Sequence, residues 1–104
     1  MKEVLILEDK SETRKVLAGL VKEVRSDAVI YEAADEKTAY DIAMKRTIDL
    51  FLVDIILHPQ QHDDVSGGEF AQNIRKVDKY LFTPILIITS MYDPKMCMYS
   101  SVHC

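Results

Sequence analysis

The stretch Ile48–Asp54, IDLFLVD, constrains this chain more than any other. Five of its seven residues are apolar, and Ile, Phe and Val suit a pleated strand buried on both faces. Such a strand belongs to a parallel sheet with helices packed on each side. In sheets of this kind, ligands bind just outside the carboxyl ends of the strands. The run closes on Asp54 at that end, where its side chain is presented rather than lost in the core.

The remaining segments supply the scaffold. Lys2–Leu7 (KEVLIL) is a second short apolar strand, ending in Glu8-Asp9. Ser11 is expected to cap a helix whose positions Val16, Leu17, Leu20, Val21 and Val24 follow helical spacing. Ala28–Ala33 is the next strand, and Asp35 caps a helix with Ala39, Ile42 and Ala43 on its inner face. After the central strand comes His58–Ser66, a loop by composition. Ser66 with Glu69 forms the capping-box pattern S-x-x-E, opening a helix that carries Phe70, Ala71, Ile74 and Val77. Thr83-Pro84 leads into a fourth buried strand, Ile85–Ile88, which ends at Thr89-Ser90. Asp93-Pro94 then places an N-cap and a first-turn proline at the start of a fourth helix. The order βαβαβαβα predicts a doubly wound α/β domain with right-handed crossovers.

At 104 residues the chain holds one domain at most. Charged residues at 29% exclude a membrane protein, and no apolar run is long enough to span a bilayer. The amino terminus lacks a signal-peptide pattern, so the expected location is cytoplasmic. A net charge of −4 argues against direct binding of nucleic acid and is compatible with a divalent cation held by gathered acids. Cys97 and Cys104 lack a CxxC spacing and read as reduced thiols.

Three strand ends carry polar groups: Glu8-Asp9, Asp54 and Thr89-Ser90. Taken singly, each has an ordinary reading, as the start of a turn or the end of a strand. Jointly, they lie side by side at one edge of a doubly wound sheet. Carboxylates crowded there repel one another and raise each other's pKa. A hard divalent ion, Mg²⁺, relieves that repulsion. A carboxylate at the metal's edge is then a nucleophile toward a phosphoryl group, forming an acyl phosphate.

LILEDK at the first strand, FLVDIIL around Asp54, the Gly67-Gly68 start of the third helix and TPILIITS together resemble the receiver domain of two-component response regulators. The resemblance covers essentially the whole chain, 1–104. It implies a flavodoxin-like (CheY-like) sheet of strand order 2-1-3-4-5 with Asp54 as phosphoacceptor. The donor would be the phosphohistidine of a sensor histidine kinase or phosphotransfer protein. Glu8, Asp9, Asp54 and the backbone carbonyl of Ile56 would hold Mg²⁺. Thr89 would be the hydroxyl that senses the phosphoryl group and switches the surface around the fourth helix. The wording DIIL…GGEFAQNIRKVD…IITS is also similar to receivers attached to LytTR-type DNA-binding domains.

Three features depart from the family pattern. The pattern continues to a fifth strand with a phosphate-binding lysine and then a fifth helix, whereas this sequence ends at Cys104. The expectation is therefore a receiver incomplete at its C-terminus and without that lysine, since Lys95 at the start of the fourth helix is no substitute. It would self-associate through the fourth-strand edge or the fourth helix. The connection from Asp54 to Gly67 is long. Its His58 and His62 have the H-x₃-H spacing of a zinc pair, but Pro59 and the two glutamines oppose a helix, so a solvated loop modulating access to Asp54 is expected. Glu8 also stands where Asp is more frequent.

The alternative to a phosphorylated switch is a pseudo-receiver, a phosphorylation-independent interaction and dimerisation module. An aspartate-nucleophile phosphatase wants a second aspartate where Ile56 stands. A flavodoxin needs a phosphate-cradling first loop, which the acids of EDKSET oppose.

Overall fold

The computed structural model describes residues 2–54 and 66–88. Four strands, β1 (Glu3–Leu7), β2 (Val29–Ala33), β3 (Leu50–Asp54) and β4 (Ile85–Ile88), alternate with helices α1 (Ser11–Val24), α2 (Glu36–Lys45) and α3 (Ser66–Ile74). All strand pairs are parallel, in the order β2-β1-β3-β4. The parallel sheet is what the alternating pattern predicts, and its order is the CheY-like one that the resemblance implies. The predicted fourth helix, Lys95 and both cysteines lie outside the described residues.

β3 sits in the middle because it is apolar on both faces, and Phe51, Leu52, Val53 and Asp54 are all buried. One face meets α2 and α3 in a core of Leu5, Leu7, Phe51, Val53, Phe70 and Tyr80, with Ala39 and Ala43 closing from α2. Phe51 packs edge-on against Tyr80 at a centroid distance of 5.0 Å. The other face, Val4, Ile6 and Leu52, is covered by Leu17, Ala18 and Val21 of α1.

Several sequence-based expectations need correction. β1 begins at Glu3 and β2 at Val29, although the carbonyl of Lys2 still accepts a 2.7 Å bond from the Val29 N–H. Ser11 does not cap α1; Lys10 occupies the N-cap position without a side-chain cap, and Ser11 is the first helical residue. Only part of the predicted apolar face of α1 is inward. Leu17 and Val21 reach the sheet, whereas Val16, Leu20 and Val24 are exposed, Val24 by 89%. The apolar arc of α1 is wider than one sheet contact can cover, so one flank remains open beside Leu52 and Leu86. β4 is less buried than its sequence suggests: it is an edge of the sheet among the described residues, and Leu86 is 54% exposed.

Other local expectations hold. The Asp35 carboxylate accepts from the Thr38 N–H at 2.8 Å and caps α2. α3 opens at Ser66. A short 3₁₀ turn, Asp78–Tyr80, was not legible beforehand, and it matters for packing. The Tyr80 hydroxyl lies 2.5 Å from the carbonyl oxygen of Ala43 and 2.7 Å from that of Arg46, and it accepts from the Ile48 N–H at 3.3 Å. Arg75 donates through one nitrogen to the carbonyls of Tyr80, Leu81 and Thr83. These bonds, with Asp49 accepting from the Glu3 N–H, fasten the amino-terminal edge of the sheet.

Candidate functional site

The opposite edge gathers the acids. β1 and β3 are neighbours in register, Leu7 beside Val53, so the residues following Leu7 emerge next to the end of β3. Glu8 extends the β1–β2 pairing by one bond, its N–H donating to the Ala33 carbonyl at 3.0 Å. Asp54 closes β3 opposite Ile88 of β4. Carboxylate oxygens of Glu8, Asp9 and Asp54 consequently lie within 4.8 Å of one another. Glu8 and Asp54 are wholly buried, and Asp9 is half-buried.

One oxygen of Glu8 accepts from the Lys10 N–H at 3.0 Å. Glu8 Oε2 and Asp9 Oδ1 are buried without a hydrogen-bond partner among the described residues. An unsatisfied buried carboxylate oxygen is expensive unless something neutralises it. Burial, reinforced by the Asp54 and Asp9 carboxylates and opposed by the Lys10 N–H, pushes Glu8 from its ordinary 4.5 up to about 8. Without a cation Glu8 therefore keeps its proton at neutral pH. The unpaired oxygens and the all-oxygen donor set fit a small hard divalent ion.

Of the residues singled out in the sequence, the fold brings Glu8, Asp9 and Asp54 together. Ile56, Thr89, Ser90, His58 and His62 lie outside the described residues. Arg14 was missed. Its guanidinium reaches back from α1 to the Glu8 carbonyl at 2.7 Å and sideways to Glu32 of β2 at 3.0 Å. No spacing rule marks such a residue, because its partners come together only when the sheet forms.

A 2-1-3-4 parallel sheet with three acids at its carboxyl edge defines a CheY-like signalling domain. Comparison with known families carries this one step further: the response regulator receiver domain model matches residues 4–100, and the chain belongs to that family. It is a receiver domain of a two-component response regulator, a regulatory module of the kind that partners histidine kinases.

Among solved structures it is similar to the Vibrio cholerae chemotaxis protein CheY4, at 26% identity and a TM-score of 0.73. That match covers 94% of this chain and 76% of CheY4. It is also similar to the response regulator MaeR bound to beryllium trifluoride, at 22% identity and a TM-score of 0.71, over 93% of this chain and 74% of MaeR. A signal receiver domain from Clostridium thermocellum matches at 20% identity and a TM-score of 0.69, over 93% and 74% of the two chains. Among curated proteins no relative matches the sequence. No helix among the described residues is long and apolar enough to cross a membrane.

Proposed function

We propose that this domain acts in the cytoplasm as a phosphoacceptor switch with Asp54 as the acceptor. The observation that carries this is the convergence of buried Asp54 with Glu8 and Asp9 at the carboxyl edge of the sheet. An Asp54 carboxylate oxygen attacks phosphorus, the P–N bond of the donor phosphohistidine breaks, and the nitrogen lone pair returns to the imidazole. Glu8, Asp9 and Asp54, with the Ile56 carbonyl, are the residues that would hold Mg²⁺. Bound there, the ion supplies neutralisation of the charge on the transferring group. Thr89, one residue beyond β4, is the hydroxyl assigned to sense the acyl phosphate. That a similar receiver, MaeR, is known bound to beryllium trifluoride supports this reading.

The test is intact mass after incubation with acetyl phosphate and Mg²⁺. One phosphoryl adduct is expected on the original chain and none on Asp54→Asn. An unmodified chain, or an adduct that survives the substitution, would overturn the assignment.

A second reading has its own observation. Among the described residues, the flank of α1 and the adjoining side of β4 expose Leu20, Val24 and Leu86 on one face, which suits a phosphorylation-independent interaction module that self-associates through it. A concentration-dependent dimer in sedimentation, lost in Leu86→Lys and present without any adduct, would favour it.

A further inference from the structure

We infer that Arg14 is a positioning residue that sets the affinity of the acidic site for its cation, an inference that rests on reading Glu8, Asp9 and Asp54 as that site. The Glu8 carbonyl oxygen belongs to the peptide joining the two acids, so whatever fixes it fixes the directions in which both side chains leave the chain. The amide of Glu8 is held by Ala33 of β2. Its carbonyl is held by Arg14 Nη1 at 2.7 Å, and Arg14 is itself anchored by Nε to Glu32 Oε1 at 3.0 Å, also on β2. The Arg14 side chain is only 16% exposed, so its bonds form in surroundings with limited water.

The three acids are crowded, and rotation of the Glu8–Asp9 peptide would carry them apart. Arg14 blocks that rotation. The cluster is thus assembled before the cation arrives, and binding need not gather it. Two donors at a fixed angle are required, which suits the planar guanidinium and not the single ammonium of lysine.

The experiment measures Mg²⁺ affinity by titration calorimetry and metal-free thermal unfolding in parallel on the original chain, Arg14→Met, Arg14→Lys and Glu32→Gln. Outer partners of metal ligands weaken affinity by about 10–100-fold when removed. Because Arg14 acts through the backbone, about a tenfold loss is expected for Arg14→Met. Arg14→Lys should recover part of it, and Glu32→Gln should lose about twofold, since the anchor remains an acceptor without charge. A lower unfolding midpoint with unchanged Mg²⁺ affinity would mean a merely structural role and would overturn the inference. If Arg14→Met does not fold, the two milder variants decide on the same criterion. Failure of the original chain to bind Mg²⁺ would instead overturn the reading of the site, and the inference with it.

Discussion

Glu8→Gln is expected to stabilise the metal-free domain at neutral pH, although it removes a charged group from the signalling site. In the folded chain, burial and the adjacent Asp54 and Asp9 carboxylates raise Glu8 from 4.5 to about 8. Between those values the folded state binds more protons than the unfolded state, so stability falls as pH rises through that window and is flat on either side. Two and a half pH units separate its ordinary value from pH 7, at about 1.36 kcal/mol each, giving a penalty of about 3 kcal/mol. Glutamine keeps the volume, cannot ionise and offers an N–H₂ donor to Asp54. Urea unfolding of both chains in the presence of a chelator should therefore show little difference near about pH 4.5, with the variant ahead by about 2–3 kcal/mol at pH 7. Saturating Mg²⁺ should narrow or reverse the order, because the cation replaces the proton only where a carboxylate can hold it. A difference independent of pH, or a variant less stable throughout the window, would refute the reasoning.

Three further substitutions test the scaffold. Tyr80→Phe deletes the hydroxyl shared by Ala43, Arg46 and Ile48 and leaves the buried Ile48 N–H without a partner, so a loss of about 1–3 kcal/mol in chemical denaturation is expected. Gly19→Ala, where nothing lies within 4 Å of the added carbon on an exposed helix position, should gain about 0.8–1 kcal/mol in the same assay. Asp35→Ala removes the carboxylate that caps α2 and should lose about 1 kcal/mol, with Asp35→Asn recovering most of it.

The parts of the fold that could be read from the sequence were those set by local pattern. An apolar run ending in a carboxylate identified β3, the alternation of helix and strand gave a parallel sheet, and the resemblance to receiver domains supplied its strand order. The acids could be placed at one edge because strand direction and strand order together decide where each strand ends. Periodicity was less informative about α1. It gave the full apolar arc from Val16 to Val24 but not which part faces the sheet, since that depends on how the helix lies across β1 and β3. The cap at Ser11 failed because the chain enters α1 one residue earlier, through Lys10. Arg14 and Tyr80 had no local signal at all. Arg14 bridges Glu8, six positions away, and Glu32, 18 away, and the partners of Tyr80 lie 32 to 37 positions away, so both roles exist only after the sheet has assembled.

The bonds made by Tyr80, Arg75 and Asp49 have a mechanical consequence. They clamp the amino-terminal rim of the sheet, and the acids occupy the rim opposite. A sheet gripped along one rim behaves as a short cantilever. A displacement produced by charge at the acidic rim is not taken up at the clamped one, so it falls on the Glu8–Asp9 peptide and on the Arg14 bond that holds it.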